Sequence, residues 1–195
     1  MAPPRKHSTD VILDAARALV LADGPRSASV AAIAARSGAP AGTLYHRFGN
    51  RDGILTAAWL RALERFQTRA KTAAQLPDPL EAGVALARSA IVFAREEPQD
   101  ARLLLNTRPA DLIDGPPDDA FTTTLAAMNA PMFAEVRRIA RALTGADDPR
   151  NLDAVARAIV DLPYSAVRRH GRTDPLPEWL EDDIADAART LLANI

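Results

Sequence analysis

Apolar residues recur along most of the chain at intervals of three and four, the spacing of one face of an α-helix, and sustained two-residue alternation is absent. The run Thr9 to Ala22 sets Val11, Ile12, Ala15, Ala16, Leu19 and Val20 at helical spacing. Ser8 or Thr9 caps it, Asp10 suits its first turn, and Gly24-Pro25 stops it. Ser29 is the N-cap of a short second helix with Val30, Ile33 and Ala34 on one face and Gly38 at its end. Pro40 fits the first turn of a third helix, where its missing N–H costs nothing, and this helix ends near Phe48, before Gly49-Asn50.

Longer helices follow. Arg51 to Gln75 carries Ile54, Leu55, Ala58, Leu63 and Phe66 on its apolar side and closes at Pro77 and Pro79. Leu80 to Arg95 and Gln99 to Asn106 come next, and then a loop, Pro109 to Pro117, with Gly115-Pro116-Pro117 as its breaker. Asp118 to Leu143 places Phe121, Leu125, Met128, Met132, Ile139 and Leu143 on one stripe, which Pro131 is expected to kink or split. Asn151 to His170, bent at Pro163, and Glu178 to Asn194 complete an all-α chain of about nine helices without internal repeats.

Composition agrees with this reading. The 195 residues include 41 Ala and 22 Arg, both strong helix formers, against 2 Lys. That imbalance is the usage of a GC-rich genome and points to a bacterial source. With no Cys, disulfides, thiolate nucleophiles and Cys metal sites are excluded. No apolar run reaches the roughly 20 residues of a spanning helix, and Met1 to Asp10 lacks the apolar core of a signal peptide, so no membrane association and a cytoplasmic location are expected. The net charge of −1 conceals a division: residues 1–71 carry +6 and the remainder −7. A basic end on an acidic body suggests a polyanionic partner for the first segment.

The third helix sharpens that suggestion. At about 100° per residue, Leu44 and Phe48 point together into a core. Gly42, Thr43 and His46 project from the opposite side, with Tyr45 and Arg47 on the flanks. A buried helix would not display a hydroxyl, an imidazole, a phenol and a guanidinium around one leucine; a short helix entering a DNA major groove would. Thr and His hydrogen-bond base edges or phosphates, Arg47 and Arg51 supply charge, and Gly42 lets the backbone approach closely. A basic tail, Arg5-Lys6-His7, is a candidate minor-groove or phosphate arm.

The segment Ser29-Val30-Ala31-Ala32-Ile33-Ala34, then Gly38, then Gly42-Thr43-Leu44-Tyr45-His46-Arg47-Phe48, resembles the DNA-binding domain of the tetracycline-repressor-like (TetR) family. Ile12-Leu13-Asp14-Ala15-Ala16, Gly24 and the Arg51 to Leu55 stretch match as well. The resemblance implies a helix-turn-helix DNA-binding domain over residues 1–50 and a ligand-binding and dimerisation domain over 51–195, joined by the long fourth helix. It implies that Ser29 contacts a phosphate while capping its helix, that Thr43 and His46 face bases or backbone, and that Tyr45 faces a phosphate. Arg51 stands where the family usually has Lys, at a helix start suited to phosphate. The chain departs from the family at Pro40-Ala41, which replaces a common Ser-Lys pair, at Arg47, which replaces a usual His, and at Val20, where Phe is frequent.

By the same resemblance Phe66, Phe93, Leu104, Phe121, Met128 and Met132 surround an effector cavity for an apolar small molecule. Leu152, Val155, Ile159 and Leu162, with Leu180, Ile184, Ala188 and Leu191, form a homodimer interface. The expected function is a sequence-specific transcriptional regulator, a repressor released from double-stranded operator DNA by ligand, with no catalytic residues, metal or cofactor. A ligand-binding module without DNA recognition, suggested by the missing lysine at Ala41, and a small helical enzyme are the alternatives. His7, His46 and His170 are too scattered for a metal cluster, and Asp118-Asp119, Asp147-Asp148 and Asp182-Asp183 read as partners of helix N-termini.

Overall fold

A computed structural model describes residues 8–114, 119–171 and 175–195, and within these every regular element is a helix. The basic tail, the Gly115-Pro116-Pro117 breaker and Asp118 lie outside the described residues. The chain divides into two compact units, residues 1–63 with 99–121, and residues 64–98 with 122–195.

The first unit begins with α1 (Thr9–Asp23), α2 (Val30–Ser37) and α3 (Ala41–Phe48). Ser8 caps α1 by accepting the Val11 N–H at 3.2 Å, and Ser29 caps α2 by accepting the Ala32 N–H at 3.1 Å. Gly24, Gly38 and Gly49 end the three helices at φ 83°, 70° and 78°, values that disfavour any side chain. Pro40 takes the N-cap position of α3 rather than its first turn.

The unit is completed by the first part of α4 (Arg51–Ala73) and by α6 (Pro98–Asn106) with the segment after it. Ile12, Ile33, Leu44, Ile54, Leu103 and Leu112 are fully buried. Polar anchors bind these pieces. Arg61 of α4 donates to Asp10 (2.8 Å) and Asp14 (2.5 Å) of α1, and Trp59 Nε1 donates to the Thr107 carbonyl at 3.0 Å. Arg17 of α1 pairs with the fully buried carboxylate of Asp100.

The second unit contains the rest of α4, α5 (Pro79–Glu96), most of α7 (Asp119–Thr144), α8 (residues 149–170) and α9 (Leu180–Ala193). Its core gathers Ala70, Ala82, Leu86, Ile139, Val155, Ile159 and Leu192. At Gly83 of α5 an added Cβ would stand 2.5 Å from Leu192 Cδ1, so glycine lets α9 pack closely against α5. Glu81 and Arg189 form a two-pronged ion pair between the same helices.

Two prolines lie inside helices. Pro131 lies inside one continuous α7 and does not split it. Before Pro163, α8 widens into a π-helical stretch, Arg157–Asp161, in which the Leu162 N–H donates to the Arg157 carbonyl. Proline has no N–H for the residue four back and its ring crowds that carbonyl. A wider turn accommodates both, and the helix resumes at Leu162–His170.

Candidate nucleic-acid interface

The α2–α3 pair is positioned from below by apolar contacts and from its ends by backbone bonds. Ile33 and Leu44 are fully buried, and Ala39, between the helices, is 3% exposed. The Pro40 carbonyl accepts the N–H groups of Thr43 (2.8 Å) and Leu44 (3.3 Å), starting α3 on its first residue after the proline. With Leu44 held inward, helical geometry turns Gly42, Tyr45 and His46 to solvent, and all three are exposed. Tyr45 presents more than half its surface, at 54%. Thr43 and Arg47 are half-buried on the margins, and Ser29 is exposed while serving as the α2 cap. The structure thus brings six of the seven predicted DNA-facing residues onto the α2–α3 pair, with Leu44 as the buried counterpoint.

Arg51 is the exception. Its side chain is only 20% exposed, and its guanidinium is turned inward. Nη2 donates to the Pro25 carbonyl at 2.7 Å; Nη1 lies 2.7 Å from the Asp52 carboxylate, 3.3 Å from the Leu112 carbonyl and 3.6 Å from Asp114. The expectation of an outward, phosphate-facing Arg51 is therefore corrected: nearby oxygens take up the fork.

Sequence reasoning also missed Gly53. Its Cα lies so close to the end of α3 that an added Cβ would stand 2.0 Å from the Phe48 carbonyl oxygen. Asn50 Oδ1 accepts the Gly53 N–H at 2.8 Å and caps the first turn of α4 at the same place. A glycine in the first turn of a predicted helix is the available signal, since it is costly there without a packing reason.

The predicted effector residues divide between the units. Phe66 and Phe93 meet in the second, with ring centroids 5.4 Å apart and planes tilted by 60°. Next to Phe66, buried Gln67 donates to Asn129 Oδ1 at 3.0 Å. Met128 and Met132 are half-buried on α7, whereas Leu104 and Phe121, also half-buried, belong to the first unit. A groove of about 680 Å³ runs along α7 between Ala130 and Ala142, past the exposed Phe133, and includes none of the six.

The predicted dimer stripe requires a larger correction. Val155, Ile159, Leu180, Ile184 and Ala188 are buried inside their own unit, at 6% exposure or less, so they cannot face a partner. Leu152 and Leu162 are half-buried. Periodicity finds the apolar face of a helix, but here that face is spent on the unit's own core around α5. The apolar side chains that α8 and α9 leave exposed are Val160, Tyr164 and Leu191.

Among the described residues no cluster of three metal-ligating side chains occurs, and no helix is long and apolar enough to cross a membrane. Of the paired acids, Asp148 caps α8 by accepting the Arg150 and Asn151 N–H groups, and Asp182 and Asp183 lie in the first turn of α9.

Residues 12–58 match the family described as bacterial regulatory proteins, tetR family. No curated protein sequence matches the chain. Solved structures share its fold. The fatty acid degradation regulator FadR of Bacillus halodurans is 15% identical, with a TM-score of 0.73 over 96% of this chain and 100% of that one. FadR of Bacillus subtilis, solved in complex with stearoyl-CoA, is 14% identical, with a TM-score of 0.72 over the same shares. The TetR family transcriptional regulator PfmR of Thermus thermophilus is 20% identical, with a TM-score of 0.72 over 96% of this chain and 97% of that one.

Proposed function

From a tetR-family segment at residues 12–58 and the fold of TetR-type transcriptional regulators over nearly the whole chain, we propose that this protein is a sequence-selective DNA-binding regulator. In this reading it is a homodimeric repressor that a small, largely apolar ligand releases from its operator. The observation that carries it is the face of α3: one buried leucine, and around it an exposed glycine, phenol and imidazole with a hydroxyl and a guanidinium at the margins.

Each group has a role suited to its chemistry. Thr43 and His46 reach base edges or adjacent backbone, Tyr45 and Arg47 reach phosphates, and Gly42 removes the side chain that would hold the helix off the groove. Ser29 offers its hydroxyl to a phosphate from the start of α2. One eight-residue helix reads few base pairs, so a two-fold dimer presenting two copies to successive major grooves, roughly 34 to 36 Å apart, supplies the missing specificity. On α8 and α9 the large apolar side chains left exposed for that contact are Val160, Tyr164 and Leu191.

An apolar effector is consistent with the Phe66–Phe93 pair and the methionines of α7, and two regulators of this fold are named for fatty acid degradation or solved with stearoyl-CoA. A ligand that prefers a dimer whose two α3 helices no longer match successive grooves lowers DNA affinity without touching the DNA face. The absence of a lysine at Ala41 favours one rival, a ligand-binding module without DNA recognition.

Binding to DNA from immediately upstream of the coding sequence, followed by fluorescence anisotropy across salt concentrations, separates the two. The regulator binds it selectively, with affinity that falls steeply with salt, and Thr43→Ala and His46→Ala narrow the gap between operator and unrelated DNA. Indifference of the wild-type chain to DNA sequence would refute the regulator.

A further inference from the structure

Arg51 sits where a phosphate contact is expected, yet its hydrogen bonds run inward. Residues 25 and 51 bracket the α2–α3 pair: Pro25 opens the turn leading to the Ser29 cap, and Arg51 follows α3 after Gly49-Asn50. The 2.7 Å bond from Arg51 Nη2 to the Pro25 carbonyl therefore closes a loop of chain around the whole helix-turn-helix. The other arm of the fork continues the closure. Nη1 reaches Asp52 (2.7 Å) and the Leu112 carbonyl (3.3 Å), while the second oxygen of Asp52 accepts the Asp114 N–H at 2.9 Å.

We infer that Arg51 is a positioning residue for DNA recognition, acting as the clasp that fixes the α2–α3 pair against α4 and the 112–114 segment. The inference rests on the DNA-binding reading above. Two features of the clasp are chemical requirements. A planar guanidinium offers donors in several directions at once, whereas an ammonium on a flexible stem cannot serve the Pro25 carbonyl and the Asp52–Leu112 side together. Asp52, 2.7 Å from Nη1, offsets the guanidinium charge on that side, with Asp114 farther off at 3.6 Å, and its other oxygen holds the 114 backbone, so the carboxylate is part of the same device. Lysine, the usual family residue here, would keep the charge and lose the clasp.

The test uses the full-length chain carrying Arg51→Lys, Arg51→Gln or Asp52→Asn, with Arg47→Ala as the reference for a direct phosphate contact. Operator affinity is measured per folded molecule at several salt concentrations, with hydrogen exchange followed in the 24–29 and 109–114 backbone. The clasp predicts that Arg51→Lys and Arg51→Gln both lower affinity, on the order of tenfold for a lost charge-assisted hydrogen bond. The salt slope stays at the wild-type value, and both backbone segments exchange faster. Asp52→Asn weakens binding too, although it removes a negative charge near the polyanion.

A direct phosphate role gives the opposite pattern. Arg51→Lys then binds as tightly as wild type, Arg51→Gln reduces the slope by about 0.9 per protomer, and Asp52→Asn strengthens binding. That pattern, or unchanged exchange in the two segments, overturns the inference and leaves the DNA-binding reading standing. A wild-type chain that binds no DNA overturns the reading itself.

Discussion

Replacing Gly53 by alanine adds one methyl group in the first turn of α4, at the junction that sets the end of α3. The new Cβ would stand 2.0 Å from the Phe48 carbonyl oxygen, where contacts under 3.0 Å essentially do not occur. A flexible side chain could yield, but this neighbour is backbone. The Phe48 carbonyl also accepts the Asn50 N–H at 2.9 Å, and Gly49 beside it is fixed at φ 78° with its N–H on the Tyr45 carbonyl. The junction must therefore open as a unit. Overpacking of this kind costs about 1–3 kcal/mol, here toward the upper end, and the better helix propensity of alanine returns at most about 1 kcal/mol. The net loss, about 1–2 kcal/mol, lowers Tm by about 2–4 °C per kcal/mol in a chain of this size. Trp59, buried in the first unit, reports its unfolding in a Trp179→Phe background, so urea titration by fluorescence isolates the affected unit. Gly42→Ala is the control. Nothing lies within 4 Å of its Cβ, so it should stabilise the same unit by up to about 1 kcal/mol while weakening DNA binding. An unfolding midpoint for Gly53→Ala at or above wild type, with Gly42→Ala behaving as stated, would refute the steric reasoning.

Three further outcomes are expected. Asp100→Ala removes the buried carboxylate from Arg17 but leaves it Asp14 at 3.1 Å, so it should cost about 1–3 kcal/mol by denaturant titration, short of the about 3–5 kcal/mol of a wholly orphaned buried charge; no measurable loss would show that the pair is not desolvated. The Arg189 hydrogen bond holds the Glu81 carboxyl below its usual value. Its stabilisation is thus complete above the ordinary glutamate range and disappears as pH falls through the lowered value, so in urea titrations repeated across pH Glu81→Gln should lower stability at neutral pH and flatten the acid limb. If the dimer uses the outward face of α8, Tyr164→Glu and Val160→Glu should produce monomers by sedimentation, whereas Ile159→Val, a change inside the core, should leave the dimer intact and lower stability by about 0.5–1.5 kcal/mol.

The helices were legible because their stop signals are local. Gly24, Gly38 and Gly49 adopt the positive φ that glycine tolerates, and Ser8, Ser29 and Asp148 accept the amides that caps must accept. The face of α3 was legible in part: Leu44 is buried and Gly42 and His46 exposed as a spacing of about 100° implies, whereas Thr43, expected outward, and Phe48, expected in the core, are both half-buried, and Tyr45, expected on a flank, is exposed. What the sequence concealed depends on distant backbone. Beside the adjacent Asp52 carboxylate, the acceptors that turn Arg51 inward are carbonyls 26 and 61 positions away, and a carbonyl has no residue identity to read. The stripe from Val155 to Ala188 announced a buried face without saying what buries it. At Pro163 the missing N–H was predictable, but the remedy, a wider turn, was not.

The first unit is assembled from two pieces of chain, and this imposes a timetable on synthesis. When residue 63 leaves the ribosome, α3 has been made but Asp100, Leu103, Thr107 and Leu112 have not, so Arg17, Trp59 and Arg51 have none of the partners that α6 and the following segment supply. At about 5–20 residues per second those partners arrive roughly 2–10 s later, after residues 64–98 of the other unit have emerged. Completion of the unit around the α2–α3 pair is thereby tied to translation well past that pair's own coding region, and a chain released early carries α2 and α3 without the partners of Arg17, Trp59 and Arg51 that come later.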